Sequence, residues 1–134
     1  MSRHVVIAVR AEECQVRTVR RFASAHMSRW GLSQQDQDCI VLIIGELAGN
    51  AARHGGADMA LSLSLNGREI CIDVVDTGHA DRTPLPRLTD TEDECGRGLG
   101  IVDHLASWTD FRAERGGWRS RAGLRVAPPV PATA

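Results

Sequence analysis

The segment from Asp58 to Asp76 constrains the fold more than any other part of the chain. In both of its halves, apolar residues alternate with polar or small ones, which is the pattern of half-buried strands. The dipeptide Asn66-Gly67 stands between the halves, so we predict a hairpin with a type I′ turn in which Leu63 faces Ile70. The apolar residues of both strands then lie on one face, which helices must cover.

The rest of the chain supplies those helices. Apolar residues recur at helical spacing from Arg10 to Trp30. They recur again from Cys39 to Ala52, in a helix that we expect to be capped at Ser33 and to end at Gly55-Gly56. A third helix is expected to open at the glycine-rich stretch that begins with Gly96.

Short β-branched or aromatic runs predict the remaining strands, at residues 3–9, 108–113 and 118–126. Together with the hairpin they predict an α+β fold. We expect a two-layer α/β sandwich with a mixed, mostly antiparallel sheet and the helices on one face. One domain should cover residues 1–126, and the proline-rich stretch 127–134 is expected to be a disordered tail.

The basic residues are all arginine: the chain of 134 residues contains 16 of them and no lysine. This composition excludes the lysine-dependent sites, such as a P-loop or a Schiff-base lysine. The formal charge of −1 argues against a nucleic-acid-binding surface over the whole chain. The four cysteines are widely spaced and the sequence shows no signal peptide or apolar span, so we expect a cytoplasmic protein that is not bound to a membrane.

The helix from Cys39 to Ala52 carries a polar stripe beside its apolar face. Glu46 and Asn50 are four residues apart and therefore lie one turn above each other, and Arg53 extends the stripe. A carboxylate and a carboxamide beside an apolar face cost free energy unless they meet partners there. Magnesium with phosphate oxygens would suit both side chains, because this cation prefers oxygen ligands. An ordinary solvated helix face is the alternative.

Two further stretches carry groups that could bind a ligand. Asp76 has the same parity as the apolar residues of its strand, so its carboxylate should point toward the helices, either to reach water at the strand end or to contact a ligand. Residues 77–95 lack periodicity, which is typical of a lid, a binding loop or a disordered segment. The run Gly96-Arg97-Gly98-Leu99-Gly100 follows at a loop-to-helix junction, where backbone N–H groups favour an anion. A flexible loop that ends at a helix is the alternative there.

Three motifs together resemble the ATP-binding fold shared by histidine kinases, gyrase and the heat-shock chaperones. Glu46-Leu47-Ala48-Gly49-Asn50-Ala51 is similar to its N-box, Asp76-Thr77-Gly78 to its G1 box, and Gly96-Arg97-Gly98-Leu99-Gly100 to its G2 box. The resemblance covers about residues 3–126. No phosphoacceptor domain precedes the fold and Arg53-His54-Gly55 follows the N-box, so the chain looks most like the bacterial anti-sigma-factor serine/threonine kinases.

This resemblance implies ATP and Mg²⁺ as cofactors and gives roles to the matching residues. Asn50 would hold Mg²⁺ on the phosphates, and Asp76 would accept a hydrogen bond from the adenine amino group. Glu46 would be the catalytic base that takes a proton from a serine hydroxyl on a partner protein. The residues expected to contact the nucleotide are Asn50, Arg53, Asp76, Gly78, Gly96, Arg97, Gly98, Leu99, Gly100 and Ser120.

The same resemblance implies a sigma factor and an anti-anti-sigma protein as partners, and a homodimer for which the first strand is a candidate contact. Two positions depart from the family pattern. Ala80 stands where the G1 box usually has its second glycine, and the last strand reads Trp118-Arg119-Ser120 where a threonine is usual, so that Ser120 alone could take a similar part. The alternative hypothesis is therefore a non-catalytic module that regulates by sequestration, with weak nucleotide binding or none. An ATP hydrolase that works through lid closure is a third hypothesis, which lacks a second domain to use the motion.

Overall fold

A computed structural model describes residues 2–54, 57–77, 94–114 and 116–128, with the backbone alone at 94–99. Five strands and three helices follow one another in these segments. They are β1 (Ser2–Arg10), α1 (Glu13–Arg29), α2 (Gln34–His54), β2 (Asp58–Asn66), β3 (Glu69–Thr77), α3 (Glu94–Leu105), β4 (Trp108–Glu114) and β5 (Gly117–Arg125).

The strands form one sheet in the order β1-β2-β3-β5-β4. Buried side chains of α1 and α2 join the inner side chains of β2 and β3 in a single apolar core. The predicted α+β fold with two layers is therefore confirmed. All four strand pairings are antiparallel in the described residues, where a partly parallel sheet was expected.

The hairpin register differs from the predicted one: each residue of β2 faces a residue of β3 that is two positions further along the chain. Asn66 and Glu69 form the last pair before the turn, so the two-residue loop is Gly67-Arg68 and Leu63 faces Ile72. Gly67 has a φ of 66°, and none of the described non-glycine residues has a positive φ. One positive φ, at the first loop residue, fits a type II′ turn, so the predicted type I′ turn is wrong. A shift of two positions conserves parity, and the apolar rows still share one face as predicted.

The core lies between α2 and the inner face of the sheet. The predicted apolar stripe of α2 is buried, and Ile40, Ile43 and Ile44 have no exposed surface. It is joined in the core by the inner side chains of β2 and β3, among which Leu63 and Ile72 are also fully buried. Long strands and helices that share such a core position the polar groups at their ends.

The start of α2 follows its predicted cap. Gly31 has a φ of 78°, which lets the chain turn after α1. The backbone N–H of Asp36 donates to Ser33 Oγ at 3.1 Å, which satisfies one of the unpaired N–H groups at the helix start. At the far end of the chain, Ala127 donates its N–H to Asp36 Oδ2 at 2.9 Å, so the first residue of the predicted tail is tied to α2. Residues 129–134 of that tail lie outside the described segments.

The outer face of the sheet carries ion pairs across β3, β5 and β4. Arg119 Nη1 donates to Asp73 Oδ2 at 2.5 Å, and Arg119 Nε donates to Glu114 Oε1 at 2.6 Å. The hydrogen bond to Glu114 raises the pKa of the Arg119 guanidinium above its ordinary value, against the effect of partial burial, and the charge of Asp73 adds to this increase.

The described part of the chain contains no helix that is long and apolar enough to cross a membrane.

The turn assignment predicts a difference between two neighbouring alanine substitutions. Gly67→Ala should lower the free energy of unfolding by about 1 kcal/mol, because an L-residue is strained at positive φ. A Cβ at Gly67 would meet no atom within 4 Å, so the cost is conformational alone. Asn66→Ala, the matched control, should change stability by less than about 0.5 kcal/mol in urea titrations, because Asn66 is a strand residue. If both variants lost the same free energy of unfolding, the type II′ assignment would be wrong and a type I′ turn at Asn66-Gly67 would be supported.

Candidate functional site

Four buried polar side chains stand out in the described segments: Gln37, Asn50, Asp76 and Ser120. Gln37 has a structural explanation, because its Nε2 donates to the carbonyl of Leu32 at 2.9 Å. The other three are residues that the sequence places in a nucleotide site. Burying a polar side chain costs free energy, so a buried polar residue needs an explanation. We therefore begin the description of the candidate site with Asn50, Asp76 and Ser120.

The connection from α2 into β2 brings Asn50 and Asp76 to the same end of the sheet. After His54 the chain enters β2 at Asp58, and the first residues of β2 pair with the last residues of β3. The N–H of Ala57 donates to the carbonyl of Thr77 at 3.1 Å, which holds this connection against the end of β3. The C-terminal end of α2 and the C-terminal end of β3 therefore meet.

Asp76 lies on the inner face of β3 and is only 2% exposed. It follows Ile70, Ile72 and Val74 in the buried row, as its parity predicts. The alternative that its carboxylate reaches water at the strand end is therefore wrong. A carboxylate buried here can accept hydrogen bonds from a ligand in an environment where such bonds are strong.

Asn50 is also 2% exposed, and its Oδ1 has no hydrogen-bond partner within the described structure. A buried acceptor without a partner costs about 1–3 kcal/mol. A magnesium ion fits this oxygen, because Mg²⁺ prefers oxygen ligands and is usually held by one or two protein groups together with substrate phosphates and water. Among the described residues no group of three histidine, cysteine or acidic side chains could hold a metal ion.

Glu46 lies one helical turn before Asn50 and is half-buried. It lines an open cavity of about 370 Å³ together with Arg20, Asp38, Val41, Leu42 and Gly45. The carboxylate can therefore be approached from outside the protein, while Asn50 faces the interior. Glu46 and Asn50 are thus one helical turn apart, but Glu46 is accessible to a molecule outside the protein and Asn50 is buried.

Arg53 is exposed in the last turn of α2. Its Nη1 lies 3.6 Å from the position that a Cβ on Gly49 would take, so the guanidinium folds back along the helix over this glycine. The side chain thus lies beside the turn that carries Asn50, on the outside of the helix. A cation placed there can contact an anionic ligand only from the rim of the site.

Ser120 and Trp118 both point inward from β5, but only one of them faces Asp76. Ser120 stands opposite Val74, whereas Trp118 stands directly opposite Asp76. A Cβ on the preceding Gly117 would overlap the backbone carbonyl of Asp76, so the two strands approach closely here. Sequence reasoning missed Trp118, because parity places residues 118 and 120 on one face and only the strand register separates them.

The glycine-rich run lies within α3 and does not precede it. This helix begins at Glu94, two residues before Gly96. Only the first four N–H groups of a helix lack an intrahelical partner, so Gly98 and Gly100 lie where the N–H groups are used by the helix itself. The prediction that the run forms the loop-to-helix junction is therefore wrong in this structure. The side chains of Arg97 and Leu99, and the whole of Gly78 and Ala80, lie outside what the structure describes.

Comparisons with known proteins concern the fold and the family of the chain. No curated protein sequence matches the chain. The structure is similar to that of the RsbU and RsbW domains of Rv1364c from Mycobacterium tuberculosis, with a TM-score of 0.72 and 20% sequence identity. The similarity covers 98% of this chain and 34% of that one, so the chain spans about a third of the length of that protein. At this identity the match supports the fold alone.

A protein-family model provides the assignment. The model of the histidine kinase-like ATPase domain matches residues 9–120, which include the N-box-like end of α2, Asp76 and the inward-facing start of β5. Because this match spans most of the sequence, the chain belongs to the histidine kinase-like ATPase family.

Proposed function

We propose that this chain is an ATP-binding regulator of the anti-sigma-factor type, with protein serine kinase activity on an anti-anti-sigma partner. The observation that carries the proposal is the buried, unpartnered Oδ1 of Asn50, one turn from the accessible carboxylate of Glu46. The first group suits a metal on a polyphosphate and the second suits a base at the surface. Membership of the ATPase family supports the nucleotide as the ligand. In this proposal the protein acts in the cytoplasm.

The buried carboxylate of Asp76 is the proposed base-reading group. A carboxylate accepts hydrogen bonds but cannot donate one, so it favours a base that carries an amino group at the contacted position. Adenine has such a group, whereas a base with a carbonyl oxygen there would meet Asp76 with two acceptors. The pocket is therefore proposed to select adenine nucleotides.

The phosphates are proposed to lie at the end of α2. Asn50 Oδ1 would be the protein ligand of Mg²⁺, which supplies charge neutralisation for phosphoryl transfer when it is bound. Arg53 is proposed to contact the phosphates from the rim, together with backbone N–H groups at the start of α3, where Gly96 lies. The contacts of Gly78, Arg97, Gly98, Leu99, Gly100 and Ser120 with the nucleotide stay predictions.

Glu46 is the proposed catalytic base. Its carboxylate would take the proton from the partner's serine hydroxyl while the hydroxyl oxygen forms a bond to the γ-phosphorus. The bond between that phosphorus and the β,γ-bridging oxygen breaks, and ADP leaves with the electron pair. Little covalent chemistry is asked of the protein, so positioning and one base can suffice.

The alternative is a module that regulates by sequestration, without catalysis. Ser120 favours it, because this residue stands where the family pattern usually has a threonine, and it lies opposite Val74 and not opposite Asp76. In that case a sigma factor would be the bound partner and no phosphate would be transferred. Partner phosphorylation separates the two functions.

Asp76→Asn should weaken the binding of ATP with Mg²⁺ at least tenfold in calorimetric titrations, equivalent to about 1.4 kcal/mol, because an amide can present a donor to the adenine amino group. Asp73→Asn is the matched control on the same strand. Asp73 faces the opposite side of the sheet, in contact with Arg119, so this change should leave binding unaffected. Absence of heat and of thermal stabilisation in the parent protein would contradict nucleotide binding.

Glu46→Gln should conserve nucleotide affinity and reduce phosphorylation of an anti-anti-sigma protein at least about 100-fold, because the amide cannot accept the serine proton. Transfer of labelled phosphate from ATP to a panel of purified anti-anti-sigma proteins measures this. Asp38→Asn, in the same cavity, is the control that should keep activity. A parent protein that binds ATP and a sigma factor but labels no partner would establish sequestration.

The homodimer is proposed to form between two copies of β1, which is an edge strand of nine residues whose Val6 is 53% exposed. An antiparallel pairing centred on Val6 places Val5 opposite Ile7 of the second copy and Arg3 opposite Val9. No arginine then faces an arginine, and both inner rows stay on one side. Two sheets would join into one.

This register predicts a specific cross-link. With the native cysteines replaced by alanine, Val6→Cys should form a disulfide-linked dimer under mild oxidation, because residues on the two-fold axis have neighbouring Cβ atoms. Ala8→Cys is the matched control on the same face, and its two copies would lie about 13 Å apart along the strands. Equal cross-linking of both variants, or a monomeric mass in solution, would rule out this pairing.

A further inference from the structure

Trp118 stands beside the candidate base-reading group. It is the direct partner of Asp76 across β3 and β5, and both side chains point to the inner face of the sheet. The Cβ atoms of residues that are directly opposite in an antiparallel pair lie about 4.5–5.5 Å apart. The indole therefore starts within side-chain reach of the carboxylate that is proposed to bind the adenine amino group.

Trp118 is buried without being part of the main core. It is 7% exposed, yet among the buried apolar side chains that the structure describes it is the one that lies outside the contiguous core cluster. Two of its described neighbours on the inner face are small: Ser120, which follows on β5, and Ala113, which stands opposite on β4. Trp118 therefore lies at the polar end of the sheet beside Asp76, and not among the residues of the main core cluster.

The chemistry of the pair fits one class of ligand. A carboxylate accepts hydrogen bonds from an amino group at the edge of a base, and an indole offers a flat π-surface to the face of the same base. Contact between an aromatic side chain and a base is tolerant of the base's identity, because every base has a π-face. Asp76 can therefore recognise the edge of the base while Trp118 contacts its face, and the two contributions can be measured separately.

We propose that Trp118 contacts the purine ring of the bound nucleotide and so determines its affinity, while Asp76 determines which purine is preferred. This inference rests on the proposed nucleotide-binding function. The family resemblance gives the position near the base to Ser120, whereas this inference gives it to Trp118.

Two diphosphates separate these roles: ADP, and inosine diphosphate, which carries an oxo group in place of the adenine amino group. Trp118→Ala should weaken the calorimetric affinity for both at least about fivefold and leave their ratio unchanged, since base–aromatic contacts are lost equally. Trp118→Phe should recover most of the affinity. Asp76→Asn should instead reduce the preference for ADP. Trp108→Ala removes a tryptophan from the outer face, where its ring lies under Arg121, and should change neither value.

A measurement on the folded protein with Trp118 intact guards against a variant that fails to fold. With Trp30→Phe and Trp108→Phe, Trp118 is the sole tryptophan, and ADP should change its fluorescence along the calorimetric binding curve. Ribose 5-phosphate, which has no base, should give no such change.

The outcomes are distinguishable. If the parent protein binds neither diphosphate, both the nucleotide-binding function and this inference fail. If it binds ADP while Trp118→Ala leaves the affinity unchanged or increases it, or while Trp118 fluorescence stays constant, the function stands and the role of Trp118 is overturned.

Discussion

The contact between the apolar stripe of α2 and the inner face of β2 and β3 is the interaction on which the rest of the structure depends. Residues such as Ile43 and Ile72 are fully buried in it. Burial of this kind is the main favourable term in folding, and it is proportional to the apolar area removed from water. It fixes the helix along the sheet, and it does so without any polar group. The connection into β2, held to the end of β3 by the hydrogen bond from Ala57 to Thr77, then brings the polar ends of α2 and β3 together.

This arrangement explains how one end of the fold can tolerate polar groups that cost free energy. The apolar contact supplies the stability, while Asn50 and Asp76 are buried where it ends. Natural proteins break local rules at functional sites and compensate for them elsewhere in the fold. Gln37 contrasts with Asn50, since it is also buried but donates to the backbone carbonyl of Leu32, whereas Asn50 Oδ1 has no partner among the described residues. The buried Oδ1 of Asn50, which has no partner among the described residues, is therefore the observation that most directly supports the proposed site.

Periodicity in the sequence was sufficient to predict the helices and strands, the shared apolar face of the hairpin and the inward direction of Asp76, because these follow from the two-residue and 3.6-residue repeats alone. It was insufficient to predict which residues of neighbouring strands pair with each other. The predicted and the observed hairpin registers have the same parity, so alternation could not choose between them. The pairing of Asp76 with Trp118 depends on contacts between segments that are far apart in the sequence, so Trp118 was missed and Ser120 was favoured. The start of α3 at Glu94, before Gly96, was not predicted, because residues 77–95 show no helical periodicity in the sequence. The roles of Glu46 and Arg53 stay predictions.

Strand β5 carries Arg119 next to Trp118, with the two side chains on opposite faces. The guanidinium is bonded to Asp73 on β3 and Glu114 on β4, so three strands are clamped together at the residue adjacent to the indole. Ion pairs that are partly exposed are weakened by dissolved salt, whereas the apolar contacts of the core are not. Ionic strength therefore acts on the stability of this part of the sheet from its outer face, at the residue next to the indole, and leaves the apolar contacts of the inner face in place.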